Sequence, residues 1–225
     1  MTVNELFQSA CRTFGVEESN ARFQGDFYAG VTAAQNGIAN RRHWGFLVAQ
    51  GTVTTAADTR MATMPTDFGR FAIDDHGTDS GQVRITAPAG SAGGTIKVIK
   101  QSEYLKQSYD GDDTGTPENM WLIGDTAYFS PIPDDEYTIE FLYYKRPTKI
   151  TNNNGTIVVP DRYAELIEAM IFRFLKKRGY SPIQELQIED ADVKRLLGES
   201  ILDDIARYGG PTFNLQPSEF TTETI

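Results

Sequence analysis

Residues 117–180 constrain the chain most, because they combine a hairpin signal, a second β-prone run and an amphipathic helix. Trp121-Leu122-Ile123 and Thr126-Ala127-Tyr128-Phe129 flank Gly124-Asp125, a two-residue turn signal between β-prone runs. Beyond Pro131 and Pro133, residues 137–144 begin by alternating and end apolar. From Asp161 onward, Tyr163, Leu166, Ile167, Met170, Ile171, Phe174 and Leu175 recur at i, i+3, i+4 and i+7. One face of that helix therefore needs a partner. The stretch holds no nucleophile motif, metal cluster or phosphate loop. It reads as scaffold.

The rest of the chain fits around it. Thr2-Val3-Asn4-Glu5 is a capping box opening a helix over residues 3–14, with Val3, Leu6, Phe7, Ala10, Cys11 and Phe14 on one face and Gly15 as its stop. Residues 16–31 read as a loop, and Thr32-Ala33-Ala34-Gln35 as the start of a second helix ending near Trp44. From Gln50 the period changes. Short strands are expected over residues 51–55, 59–64, 71–74, 83–86 and 95–99, separated by Gly-, Asp- and Pro-rich turns. Residues 102–109 suggest a helical turn, and residues 110–117 an acidic loop. Ser181-Pro182-Ile183-Gln184 begins a last helix, apolar at Leu186, Val193, Leu196, Leu197, Ile201 and Ile205 and stopped by Gly209-Gly210-Pro211. The expected fold is α+β: a helical bundle of N- and C-terminal helices (residues 1–49 and 160–208) with a β-rich inserted domain (50–159) and a C-terminal segment (209–225).

A length of 225 residues, 40% hydrophobic and 23% charged, suits one sizeable core or two small ones. No apolar run reaches membrane-spanning length, so no membrane partner is expected. The N-terminus carries Glu5 where a secretory signal would be basic, which predicts an unprocessed product of the cytoplasm. The single cysteine, Cys11, excludes an internal disulfide and lies on the apolar helical face, as a structural thiol would. Net charge is −10, with a concentration of acid at Glu103, Asp110, Asp112, Asp113, Glu118, Asp125, Asp134, Asp135, Glu136 and Glu140. Such a surface does not bind nucleic acid by neutralising phosphates; it suits DNA that slides past.

Enzyme signatures are missing. G-x-x-x-x-G-K-[ST], G-x-S-x-G and H-E-x-x-H do not occur. The loop from Asp110 begins like a calcium-binding loop, but its twelfth position is Trp121 where a bidentate Glu is needed. His43 is expected at a helix end and His76 in a turn. The carboxylate pairs Asp134-Asp135 and Asp203-Asp204 have the residue types of glycoside hydrolysis, yet adjacent surface acids are usually only solvated. The basic residues Arg173, Lys176, Lys177 and Arg178 complement a helix C-terminus, with subunit contact as the sharper alternative. No catalytic, cofactor-binding or metal-binding residue is assigned.

Six ordered marks carry a resemblance. Trp44-Gly45-Phe46-Leu47, Met64-Pro65-Thr66-Asp67-Phe68-Gly69, Gly115-Thr116-Pro117, Phe129-Ser130-Pro131-Ile132-Pro133-Asp134, Tyr143-Tyr144-Lys145-Arg146-Pro147 and Val159-Pro160-Asp161-Arg162-Tyr163 follow one another, with a Thr-rich strand after the first. Together they resemble the head-to-tail adaptor proteins of tailed bacteriophages, over about residues 6–208. The resemblance implies a structural virion protein, assembled in the host cytoplasm, that forms a homo-oligomeric ring beneath the portal, usually twelvefold. Such a ring extends the DNA channel and offers a platform to the next tail component, be it nozzle, stopper or tail tube. On this resemblance Phe213, Leu215, Phe220 and Ile225 become anchors of a portal-docking arm, and Asp110, Asp112 and Asp113 become channel-facing acids that let DNA pass during ejection. The longer β insert, especially residues 69–100, departs from the shorter members. Two other readings compete: a host-surface or carbohydrate-binding tail module, for which Tyr104, Tyr109 and Trp121 would form the aromatic platform, and a peptidoglycan hydrolase using the abundant carboxylates.

Overall fold

The computed structural model describes residues 1–72, 83–88, 93–104, 113–181 and 190–208. In chain order these form α1 (Val3–Phe14), α2 (Ala21–Ala39), a 3-10 turn (Gly45–Leu47), β1 (Val48–Thr54), β2 (Met61–Thr63), β3 (Phe68–Phe71), β4 (Val83–Ala87), β5 (Lys97–Val98) and α3 (Gln101–Tyr104). There follow β6 (Thr114–Gly115), β7 (Asn119–Ile123), β8 (Thr126–Ser130), β9 (Ile132–Pro133), β10 (Thr138–Lys145), a second 3-10 turn (Asp161–Tyr163), α4 (Ala164–Lys177) and α5 (Asp190–Tyr208). The architecture is α+β, with helices at both ends and a β-rich middle. Two compact units result, Met1–Phe46 with Lys149–Ile225, and Leu47–Thr148.

In the helical unit, α1 follows its capping box. Glu5 N–H donates to Thr2 Oγ1 at 3.1 Å and Thr2 N–H to Glu5 Oε2 at 2.7 Å, while Gly15 ends the helix at φ +62°. α2 begins well before Thr32, where the sequence suggested a loop. Asn20 is its cap, accepting from Phe23 N–H at 3.0 Å. Phe23, Phe27, Gly30, Val31, Ala34 and Ile38 then run buried along it. Gly30 and Gly37 let α4 approach: a Cβ at Gly30 would lie 3.1 Å from the Phe174 ring, and one at Gly37 2.9 Å from Met170 Cε. Edge-on pairs Phe7–Phe27 (5.2 Å) and Phe14–Phe172 (5.5 Å) join α1 to α2 and α4.

The chain between β10 and α4 is tied to α2 by three hydrogen bonds. Ile150 N–H donates to Thr32 Oγ1 (3.0 Å), Val158 N–H to the buried Gln35 Oε1 (2.8 Å), and Tyr28 Oη–H to Asn153 Oδ1 (3.0 Å). The Asp161 helix starts as the 3-10 turn and becomes α-helical at Ala164. Phe172 joins its buried face, whereas Met170 and Phe174 are half-buried. The expected start of the last helix at residues 182–184 lies outside the described residues; α5 is described from Asp190.

The β unit is built on β10. It pairs antiparallel with β1 along one side and with β3 and β4 along the other. A second sheet runs β2-β8-β7-β5, and β6 pairs with β9. Alternation sends Ile139, Phe141 and Tyr143 of β10 inward. They meet Met120, Ala127 and Phe129 of the second sheet in one core that also takes Val53, Phe68, Val83 and Ile85. The predicted β7–β8 hairpin is present, with Gly124 at φ +62° in its turn. The strand expected at 59–64 is realised as β2; of the one expected at 71–74, residues 73–74 lie outside the described residues, and β3 begins earlier, at Phe68, which enters the core.

Candidate assembly surface

The six ordered marks meet in three pairs. The turn of Asp67 is held by the strand of Tyr143: Tyr143 Oη–H donates to Asp67 Oδ1 at 2.7 Å and Arg146 N–H to Asp67 O at 2.7 Å. Burial, reinforced by the Asp67 carboxylate, pushes the Tyr143 hydroxyl up to about 12. Gly69 is required there, since a Cβ would stand 2.7 Å from Tyr144 O. Gly115 lies beside Pro131, and its carbonyl accepts from Asp134 N–H at 3.3 Å. Tyr137 closes this second pair, donating to Asp134 Oδ1 at 2.6 Å and lying 3.2 Å from Thr116 Oγ1.

The third pair is the corner of the helical unit. Trp44 is fully buried and its indole N–H donates to Ile38 O at 2.6 Å, satisfying a carbonyl at the end of α2. Phe46 and Tyr163 lie 5.8 Å apart, and Trp44 and Tyr163 5.9 Å. A Cβ on Gly45 would run into the Tyr208 ring, so the last residue of α5 covers this glycine. Asp204, only 1% exposed, accepts from Gly45 N–H at 3.1 Å and faces Arg42 at 3.5 Å. Its Oδ1 has no hydrogen-bond partner among the described residues. Burial raises the Asp204 carboxyl above the ordinary carboxylate range, against the pull of Gly45 N–H and Arg42.

Its neighbour Asp203 is the opposite case. Arg207 Nε contacts both its oxygens at 2.9 Å, Arg162 Nε lies at 3.1 Å and Tyr163 Oη–H donates at 3.0 Å. The Arg207 hydrogen bond is the main reason its carboxyl sits low. Tyr163 first and then Tyr208 hold Arg162 protonated, against the effect of burial. Asp161, Arg162, Glu165, Leu196, Glu199 and Asp203 line an open cleft of about 400 Å³ here, in which Asp203 is paired with Arg162 and Arg207.

A family described as SU10 adaptor protein matches residues 1–213, the whole of the β unit and nearly all of the helical one. The chain belongs to the SU10 adaptor protein family. It is thus a phage adaptor protein, and the three interlocks are what this adaptor's ordered marks build. Among curated proteins none matches the chain.

Other sequence candidates fall into place around the adaptor scaffold. Cys11 is buried, its thiol pushed up by burial and then by Glu18, the reverse of an activated nucleophile. His43 lies beyond the end of α2, since that helix stops at Ala39 with Asn40 as its C-cap. Asp204 is too buried to meet a polysaccharide as one of a carboxylate pair, and Asp134 is engaged by Tyr137. Trp121, 1% exposed and stacked on Tyr128 at 5.8 Å, cannot serve as a sugar platform; Tyr109 lies outside the described residues. Among the described residues no group of three or more metal-ligand side chains converges, and no helix is long and apolar enough to cross a membrane. Lys176, Lys177 and Arg178 are exposed at the C-terminal end of α4, where Arg178 covers the Phe174 ring and reaches Asp26 at 3.9 Å. Asp113 is exposed, its carbonyl accepting from Ile132 N–H at 2.9 Å. Asp110, Asp112, His76, Phe213, Leu215, Phe220 and Ile225 lie outside the described residues.

Arg42 and Tyr208 carry no site signal in the sequence, and Gly45 and Asp204, each named there for another reason, are joined only by the fold. Asp204 did leave a signal: it lies eleven positions from Val193 and four from Ser200, on the apolar side of a helix, where a carboxylate needs a buried partner.

Proposed function

We propose that this adaptor is the subunit of a ring, usually twelvefold in such connectors, that sits beneath the portal, extends the DNA channel and presents a platform to the next tail component. The observation that carries this reading is the family match across residues 1–213, which spans both units rather than one module. The helices, arranged as a bundle, build the ring. The segment 209–225 is the docking arm, with Phe213, Leu215, Phe220 and Ile225 seated as apolar anchors in the portal. Asp110, Asp112 and Asp113 face the channel, where carboxylates avoid holding phosphate. The protein acts by assembly in the virion, without turnover.

Electron microscopy of the full chain mixed with portal rings tests this. The expected image is a ring stacked coaxially on the portal, and deleting residues 212–225 should weaken docking by a factor of ten or more without unfolding the chain. Undiminished docking by the truncated protein would remove the arm from the reading. A wild-type chain that joins neither portal nor tail would remove the ring itself.

A further inference from the structure

β1 is an edge strand with an open side. It pairs along its whole length with β10, and with no other strand among the described residues. The ladder fixes which main-chain groups face outward. Leu142 O accepts from Ala72 N–H, so Leu142 points its backbone away from β1. Its partner Gln50 must then point its own N–H and C=O away from β10, because directly opposed antiparallel residues either exchange both bonds or neither. Thr55 N–H donates to Tyr137 O, which sets the opposite parity inward. Val48, Gln50, Thr52 and Thr54 therefore present N–H and C=O groups to solvent, and all four residues are exposed.

Natural sheets guard such edges with short strands, charges or proline. The other strands here follow that rule: β2 has three residues between Arg60 and Pro65, β5 has two and contains Lys97, β3 carries Arg70 and β4 Arg84. β1 has seven residues and none of these devices. No charged residue stands between His43 and Asp58, in a chain of net charge −10. Gly51 adds no side chain at the edge, and the Phe141 and Tyr143 rings fill the space beneath it.

We propose that the open edge of β1 receives an added strand: an extended, uncharged segment of a partner protein at the head-to-tail junction, hydrogen-bonded to the main chain of Val48, Gln50, Thr52 and Thr54. This rests on the adaptor reading above. Main-chain bonds supply the affinity and alternate side chains the selectivity. The incoming strand places apolar residues on the side of Ala49 and Val53 and neutral polar ones on the side of Gln50, Thr52 and Thr54. An acidic segment would meet the field of the whole chain, and a basic one would find no counter-charge along the strand.

Amide exchange on the full chain, free and assembled with portal and tail partners, tests this. The amides of Val48, Gln50, Thr52 and Thr54 should exchange rapidly in the free chain and at least ten-fold more slowly in the junction. Thr52→Pro removes one outward donor and leaves the β10 ladder whole, so it should fold and lose that protection, with junction affinity down ten-fold or more. Thr52→Lys, a guard residue at the same place, repeats the test should the proline variant fold poorly, and Thr52→Val should behave as the parent. If the chain enters the junction with these amides as fast as before, the added strand is wrong and the adaptor reading stands. If the wild-type chain enters no junction, the adaptor reading fails and takes the added strand with it. Protection of the same amides in the free chain that grows with concentration would assign the edge to a second copy and overturn the partner.

Discussion

Asp204 puts a carboxylate on the buried face of α5, with one oxygen held by Gly45 N–H and the other without a hydrogen-bond partner among the described residues. Burial raises its pKa in the folded state above the unfolded value, so the folded chain holds this proton more tightly. The stability gained that way is full below the ordinary carboxylate range and is lost as pH rises through the raised value. Asp204→Asn keeps an acceptor for Gly45 and carries no charge. Its stability relative to the parent should therefore climb with pH over that window and level off above it, as urea denaturation at a series of pH values would record. A difference that falls with pH would mean that Arg42 and the backbone, not burial, dominate. Glycines divide in the same physical way. Gly69→Ala drives a methyl against a main-chain oxygen that cannot yield, and should cost about 2 kcal/mol. Gly37→Ala meets only the mobile end of Met170 and gains about 1 kcal/mol of helix propensity, so its melting temperature should stay close to the parent's.

Among the elements, α1, the β7–β8 hairpin and α4 were legible because each carries its own local signal: a capping box, a Gly-Asp turn, an apolar stripe. The first half of α2 was not. Its glycines at 25, 30 and 37 imitate a loop, and the use of the last two, close approach of α4, is a tertiary fact. Asn20 followed by Phe23, Phe27, Gly30, Val31, Ala34 and Ile38 was the available signal, a cap and a 3–4 spacing hidden by helix-poor residues. The candidate site was half legible. Its six marks could be ordered along the chain, but that Asp67 belongs to Tyr143, Gly115 to Asp134 and Trp44 to Tyr163 depends on sheet register and helix packing. The open edge of β1 was beyond reach, since a strand's parity is set by its neighbours' hydrogen bonds.

For the molecule as a whole, the proposed ring gives the charge distribution a consequence for DNA passage. A ring repeating this chain multiplies each acidic loop by the number of subunits, and on the proposed arrangement Asp110, Asp112 and Asp113 lie where DNA passes. Replacing all three by Asn leaves the Asp113 carbonyl, and with it the bond from Ile132 N–H, in place, so assembly should be unaffected. Release of packaged DNA should slow at low salt, because a neutral wall no longer repels the phosphates. The difference should fade as ionic strength approaches ~1 M, where screening shortens to about 3 Å. Ejection kinetics of particles carrying the triple variant, measured across that salt range, distinguish this from an indirect effect on assembly, which would slow release at every salt concentration. Identical low-salt kinetics for variant and parent would place these acids away from the lumen, and a map of the assembled ring with Asp113 on its outer wall would do the same.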